Sequence, residues 1–95
     1  MSTRSNLAIK LKDGTYLQAY CHYDGYPSHM LVELEMNWQA HKDAMRLVEV
    51  GDIRCVQDGV FEQLSDAGPA WVLGEPCKDH DYLYVYEDDR WEQRK

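Results

Sequence analysis

Leu7-Ala8-Ile9-Lys10-Leu11-Lys12-Asp13-Gly14-Thr15-Tyr16-Leu17-Gln18-Ala19-Tyr20-Cys21 decides the fold class of this chain. Leu7, Ile9 and Leu11 alternate with Ala8 and Lys10, the period-two pattern of a half-buried strand. Asp13-Gly14 then breaks the run. Thr15 to Tyr23, with a threonine and tyrosines at 16, 20 and 23, reads as the returning strand of a hairpin. On that strand Leu17, Ala19 and Cys21 share one face while Gln18, Tyr20 and His22 share the other. Cys21 and His22 are therefore expected on opposite sides of the sheet.

Working downstream, Asp24-Gly25-Tyr26-Pro27 reads as a turn, with Ser28 as the N-cap of a helix. From His29 to Trp38, Leu31, Leu34 and Trp38 recur at helical spacing with Met30 beside them. A second helix, about Ala40 to Val50, gathers Ala40, Ala44, Leu47 and Val48 on one face, and Gly51 supplies a left-handed stop. Asp52 to Val56 then reads as a short strand closed by Asp58-Gly59. Val60 to Leu64 fits either strand or helix, Ser65 to Pro69 is a loop, and Ala70 to Leu73 is strand-like. In Asp81 to Tyr86 the alternation places Leu83 and Val85 inward and Tyr82, Tyr84 and Tyr86 outward. A turn at Glu87-Asp88-Asp89-Arg90 returns the chain through Trp91. Together these predict one α+β domain over residues 1–95. Its antiparallel sheet combines the N-terminal hairpin with the C-terminal strands, and two helices pack on one face.

A hydrophobic fraction of 44% with 12% aromatics is enough for the core of one 95-residue domain. No run approaches the roughly 18 apolar residues of a membrane span, and Met1-Ser2-Thr3-Arg4 lacks a secretory leader pattern. A cytoplasmic protein with no membrane partner is expected. Cys21, Cys55 and Cys77 are odd in number and sparse, which favours reduced thiols. Residues 1–50 carry a net charge of −1 and residues 51–95 a net charge of −6, within the total of −7. Such a half repels nucleic-acid phosphate, so direct nucleic-acid binding is not expected. It attracts basic protein surfaces.

Catalytic and metal signals are weak. Cys21, His22, Cys77 and His80 form a nominal Cys/His set, and Cys77-x-x-His80 has workable ligand spacing. The first pair is adjacent on a strand, however, which is poor zinc geometry. No metal site is therefore assigned, and no cofactor is called for. A cysteine nucleophile needs a neighbouring base and a group to orient it, and Cys21 lies on an apolar strand face. His22 with Asp24 is the better acid–base pair, yet Asp in an Asp-Gly turn commonly bonds its own backbone. There is no Gly-rich phosphate loop. The expectation leans against an enzyme.

Recognition signals are stronger. Tyr20, Tyr23 and Tyr26 crowd the first turn, and tyrosines make favoured interface anchors. An outward Tyr82, Tyr84 and Tyr86 row, rimmed by Asp79, Asp81, Asp88 and Asp89, would suit a basic partner.

The opening Ser2-Thr3-Arg4-Ser5-Asn6-Leu7-Ala8-Ile9, the segment Tyr20-Cys21-His22-x-Asp24-Gly25-Tyr26-Pro27 and Leu47-Val48-x-x-Gly51-Asp52-Ile53 together resemble a family of small bacteriophage and prophage proteins. The ending, Asp81 to Tyr86 followed by Trp91, resembles theirs too. The likeness is specific in the first 53 residues and loose between Val56 and His80. It implies a mobile-element protein made in a bacterial cytoplasm. It also makes Arg4, Asn6, Tyr20, His22, Asp24 and Tyr26 the carriers of any site in the shared motif.

The leading expectation is a small acidic protein that binds and inhibits or modulates a host or defence protein with a basic surface. An anti-restriction or anti-CRISPR factor that mimics nucleic-acid charge would be one form of it. One alternative is a nucleotide-type ligand binder or enzyme using Arg4, His22, Asp24 and Tyr26. Another is a self-assembling structural protein, with a homodimer as its simplest state.

Overall fold

The computed structural model describes residues 3–94. In chain order the elements are β1 (Ser5–Lys10), β2 (Tyr16–Cys21), α1 (Pro27–Asn37), α2 (His41–Glu49), β3 (Ile53–Gln57), β4 (Val60–Gln63), β5 (Trp71–Leu73), β6 (Tyr82–Glu87) and β7 (Arg90–Arg94). The strands form one sheet in the order β4-β3-β2-β1-β6-β7, with β5 also pairing β2. The expected hairpin is present, with Leu7 opposite Ala19 and Ile9 opposite Leu17. The ambiguous Val60 segment is a strand. Among the described residues, no helix is long and apolar enough to cross a membrane.

The fold is α+β, but the sheet is mixed rather than antiparallel. β1 runs parallel to β6, and β2 runs parallel to β3. Both departures come from long connections that local alternation cannot reveal. The two helices bring the chain back beside the end of β2, where Ile53 pairs with Cys21 and β3 continues in the same direction. After β5, residues 74–81 carry the chain across the second face of the sheet to the start of β1, where Tyr82 pairs with Ser5. Two buried amides hold this strap down. Gln18 donates to the Cys77 carbonyl (2.7 Å) and accepts from its N–H (2.9 Å), and Asn6 Oδ1 accepts from the Asp79 N–H (3.0 Å).

The principal core joins Leu7, Ile9, Ala19, Cys21, Tyr84, Tyr86 and Trp91 of the sheet to Met30, Leu34, Trp38, Ala44, Leu47 and Val48 of the helices. The expectation of an outward tyrosine row is therefore overturned. Tyr84 and Tyr86 are buried, and Tyr82 is half-buried against the same core. β6 has β1 and β7 on its two edges, and buried side chains cover both of its faces. Leu83 and Val85 are buried on the opposite side with Ala8 and Tyr16. Alternation showed that two faces exist but not that both are interior. Burial of a phenol requires a partner for its hydroxyl. Tyr84 donates to the Gly25 carbonyl and Tyr86 to the Gln39 carbonyl, each at 2.6 Å. Burial also pushes both phenols' pKa values up, so they remain donors. Tyr84→Phe should lower stability by about 1–2 kcal/mol, since it leaves the Gly25 carbonyl unpaired. Urea unfolding would measure this, and an unchanged midpoint would contradict it.

The helix ends correct a second expectation. α1 begins at Pro27 with Tyr26 at the N-cap, not Ser28. Proline favours the first helical position because its missing N–H would be unpaired there anyway. It also holds the preceding residue extended, and Tyr26 has φ −70° and ψ 149°. Gly51 does stop α2 with φ +91°.

One tie joins α1 to the β3–β4 hairpin and was not visible in the sequence. Buried Glu33 accepts hydrogen bonds from the Asp58 N–H (2.9 Å), the Gly59 N–H (2.8 Å), the Trp38 indole (3.0 Å) and Asn37 Nδ2 (3.1 Å). Asp58 and Gly59 both have positive φ, the geometry of a two-residue type I′ hairpin loop. Asp88 and Asp89 repeat that geometry between β6 and β7.

Candidate functional site

The segment Tyr20–Pro27 leaves the sheet at the end of β2 and enters α1. His22 and Tyr23 still donate their N–H groups to the Ile53 and Arg54 carbonyls, so the connection is tied to β3 for two further residues. Asp24 then turns left-handed at φ +56°. Gly25 is needed for a different reason than a turn glycine usually is. Its φ is not positive, but a Cβ there would lie 2.7 Å from Ser5 Cβ and 2.9 Å from the Thr3 carbonyl oxygen. Gly25 also donates to that carbonyl at 2.8 Å while accepting from Tyr84. The connection is thus clamped between the start of β1 and the core.

Strand alternation separates Cys21 from His22, as the sequence indicates. Cys21 is buried in the principal core with its thiol directed at the Tyr23 carbonyl (3.4 Å). Burial pushes that thiol up to about 12, which keeps it protonated and poorly nucleophilic. Cys77 is exposed, and its hydrogen bond to Asp79 (3.1 Å) likewise raises its pKa. Neither environment favours a thiolate. Among the described residues, no group of three or more His, Cys, Asp or Glu side chains is placed to hold a metal ion.

On the opposite face from Cys21, aromatic rings line up. The Tyr20 ring lies 4.5 Å from that of His80 and 5.9 Å from that of His22, and His22 lies 4.5 Å from Tyr23. The Arg54 guanidinium stands 5.4 Å from the Tyr23 ring. The Tyr20 hydroxyl bonds His22 Nδ1 at 2.6 Å. Burial raises the Tyr20 pKa, and the charge of nearby Arg4 partly opposes that rise. The phenol stays protonated, and the tautomer of the His22 imidazole sets which of the two groups donates. Beyond the turn, the Tyr26 ring lies 6.0 Å from His29. His29 Nε2 in turn reaches the Val56 carbonyl at 2.9 Å.

The structure therefore brings Arg4, Tyr20 and His22 together and adds His80, Tyr23 and Arg54, which the motif alone does not single out. No ion pair joins Arg4 to Asp24 among the described residues. Asn6 is buried rather than available, pinning Asp79 and His80 through Oδ1. The acidic residues do not form one rim. Asp79 and Asp81 precede β6, whereas Asp88 and Asp89 follow it. Asp81 and Asp88 are separated by roughly 23 Å of extended chain at about 3.3 Å per residue.

No protein-family model, curated protein or solved structure matches this chain.

A groove of about 560 Å³ opens at the far end of the sheet, lined by residues that include Lys10, Lys12, His41, Met45, Tyr86 and Asp89. Much of its charge is already committed. Glu87 accepts from Tyr16 (2.7 Å) and Arg94 (2.9 Å) and pairs with Lys10 at 3.6 Å. The Tyr16 hydrogen bond leads the lowering of its pKa.

Proposed function

We propose that this chain is a non-enzymatic binding protein, encoded by a bacteriophage or other mobile element, that docks on and inhibits or modulates a host or defence protein. The observation that carries this reading is the run of rings His80, Tyr20, His22 and Tyr23, continued past the turn by Tyr26. Tyr23 and Tyr26 are 36% and 39% exposed, on a connection clamped to the sheet and core. Rigid aromatics with one face free give contact area at small entropic cost, which is what interface anchors require. The raised thiol pKa values weigh against nucleophilic catalysis at Cys21 or Cys77. A net charge of −7 favours a partner with a basic surface. The resemblance of the Tyr20–Pro27 segment to phage and prophage proteins supplies the biological setting and points to a cytoplasmic target.

Affinity purification from a bacterial lysate tests this directly. The wild-type chain should recover a defined protein, with retention falling as salt rises. A His22→Ala/Tyr23→Ala variant with unchanged circular dichroism should lose it by about tenfold or more, as removal of interface anchors does. Recovery of the same protein by the variant at undiminished yield would contradict the proposed site.

A further inference from the structure

The outward side of α1 is unusual for a surface helix. Met30 and Leu34 enter the core, yet Val32 and Met36, four residues apart and therefore on one face, are 49% and 75% exposed. A helix with apolar residues on both sides is ordinarily covered on both sides. Tyr26 and His29 extend this stripe toward the aromatic run, with their rings 6.0 Å apart. The charged side chains of α1 itself are all acidic. α1 carries Glu33 and Glu35 and no Lys or Arg, and Glu33 holds the turn that presents exposed Asp58.

We infer that the Tyr26–His29–Val32–Met36 stripe is the apolar centre of the partner interface, and that its occupant is a basic amphipathic segment of another protein. This rests on the reading of the chain as a binding protein. An apolar strip with the exposed carboxylates of Glu35 and Asp58 nearby complements a segment whose apolar side is bordered by Lys and Arg. A second copy of this chain is the poorer occupant, because apposed stripes would bring Glu35 and Asp58 against their own kind. Exposed Met suits such a groove, since its flexible thioether adapts to the opposing surface.

The test uses two synthetic helical peptides with the same leucine stripe, one with lysine and one with glutamate at every other position. Binding is followed by fluorescence anisotropy and by amide chemical shifts of the full chain. The lysine peptide should bind, shift the amides of residues 26–36 and weaken as salt rises. The glutamate peptide should not bind. Val32→Ser/Met36→Ser, on exposed positions that hold no core contact, should weaken binding about tenfold without changing the unfolding midpoint. Equal binding of the two peptides, no binding of either, an undiminished double variant, or a dimer abolished by that variant would each overturn the inference. A lysate partner lost with His22→Ala/Tyr23→Ala but kept by Val32→Ser/Met36→Ser would overturn this inference and leave the binding function standing.

Discussion

Glu33→Ala should lower the unfolding free energy by about 3 kcal/mol, because it removes one acceptor from four donors at once. Of these, the Trp38 indole is buried, so its desolvation is left uncompensated, and the Asp58 and Gly59 N–H groups make no other hydrogen bond among the described residues. The effect should depend on pH with a definite sign. Burial pushes the Glu33 pKa up, but the hydrogen bonds, led by the Gly59 N–H, outweigh it and hold the pKa below its ordinary value. A carboxylate with a lowered folded-state pKa gives its stabilisation fully above its unfolded pKa of about 4.3. That stabilisation is lost as pH falls through the folded value. Urea midpoints of wild type and Glu33→Ala should therefore differ widely at neutral pH and converge in acid. Glu33→Gln should fall between them, since one amide oxygen still accepts while its NH₂ faces a donor. A constant gap between wild type and Glu33→Ala at all pH values would show that the carboxylate charge is not the source.

The second large effect is expected at Gly51. Its φ of +91° strains any residue bearing a Cβ, and that Cβ would fall 2.3 Å from the Gly68 carbonyl oxygen. The colliding atom is backbone, so it cannot swing aside as a side chain would. It also belongs to the loop that Asp52 fixes, with Asp52 N–H donating to the Gly68 carbonyl and the Asp52 carboxylate accepting from Gly68 N–H. Gly51→Ala should cost about 3 kcal/mol, combining left-handed strain with overpacking. Two glycines calibrate this figure. Gly14 has the same φ of +91° but open space around it, so Gly14→Ala should cost about 1 kcal/mol from strain alone. Gly74 has neither feature, so Gly74→Ala should be neutral. Thermal or urea unfolding of the three variants measures the series. Equal losses at Gly51 and Gly14 would contradict the role given to Gly68.

What could be read from the sequence follows the range of the interactions involved. The β1–β2 hairpin, both helices, the Gly51 stop and the separation of Cys21 from His22 depend on periodicity and local backbone chemistry, which a window of a few residues contains. The parallel pairings depend on where the helical excursion and the 74–81 strap end, and nothing local records that. Tyr84 shows the limit most clearly. Its neighbours alternate as in an exposed-face strand, but the Gly25 carbonyl that accommodates its hydroxyl lies 59 residues away. Asn6 and Gln18 likewise look like surface residues and are in fact strap anchors. At the candidate site the motif supplied Tyr20 and His22. His80 and Arg54 arrive from distant strands and loops and could be placed only by the fold.

Hydrogen–deuterium exchange of the chain, alone and bound to the protein it captures, tests the central claim most directly. Slowed exchange is predicted at residues 22–36, across the aromatic connection and α1, with little change at the Asp88-Asp89 turn. Protection confined to the acidic segments 75–81 and 87–90, with none at residues 22–36, would contradict it.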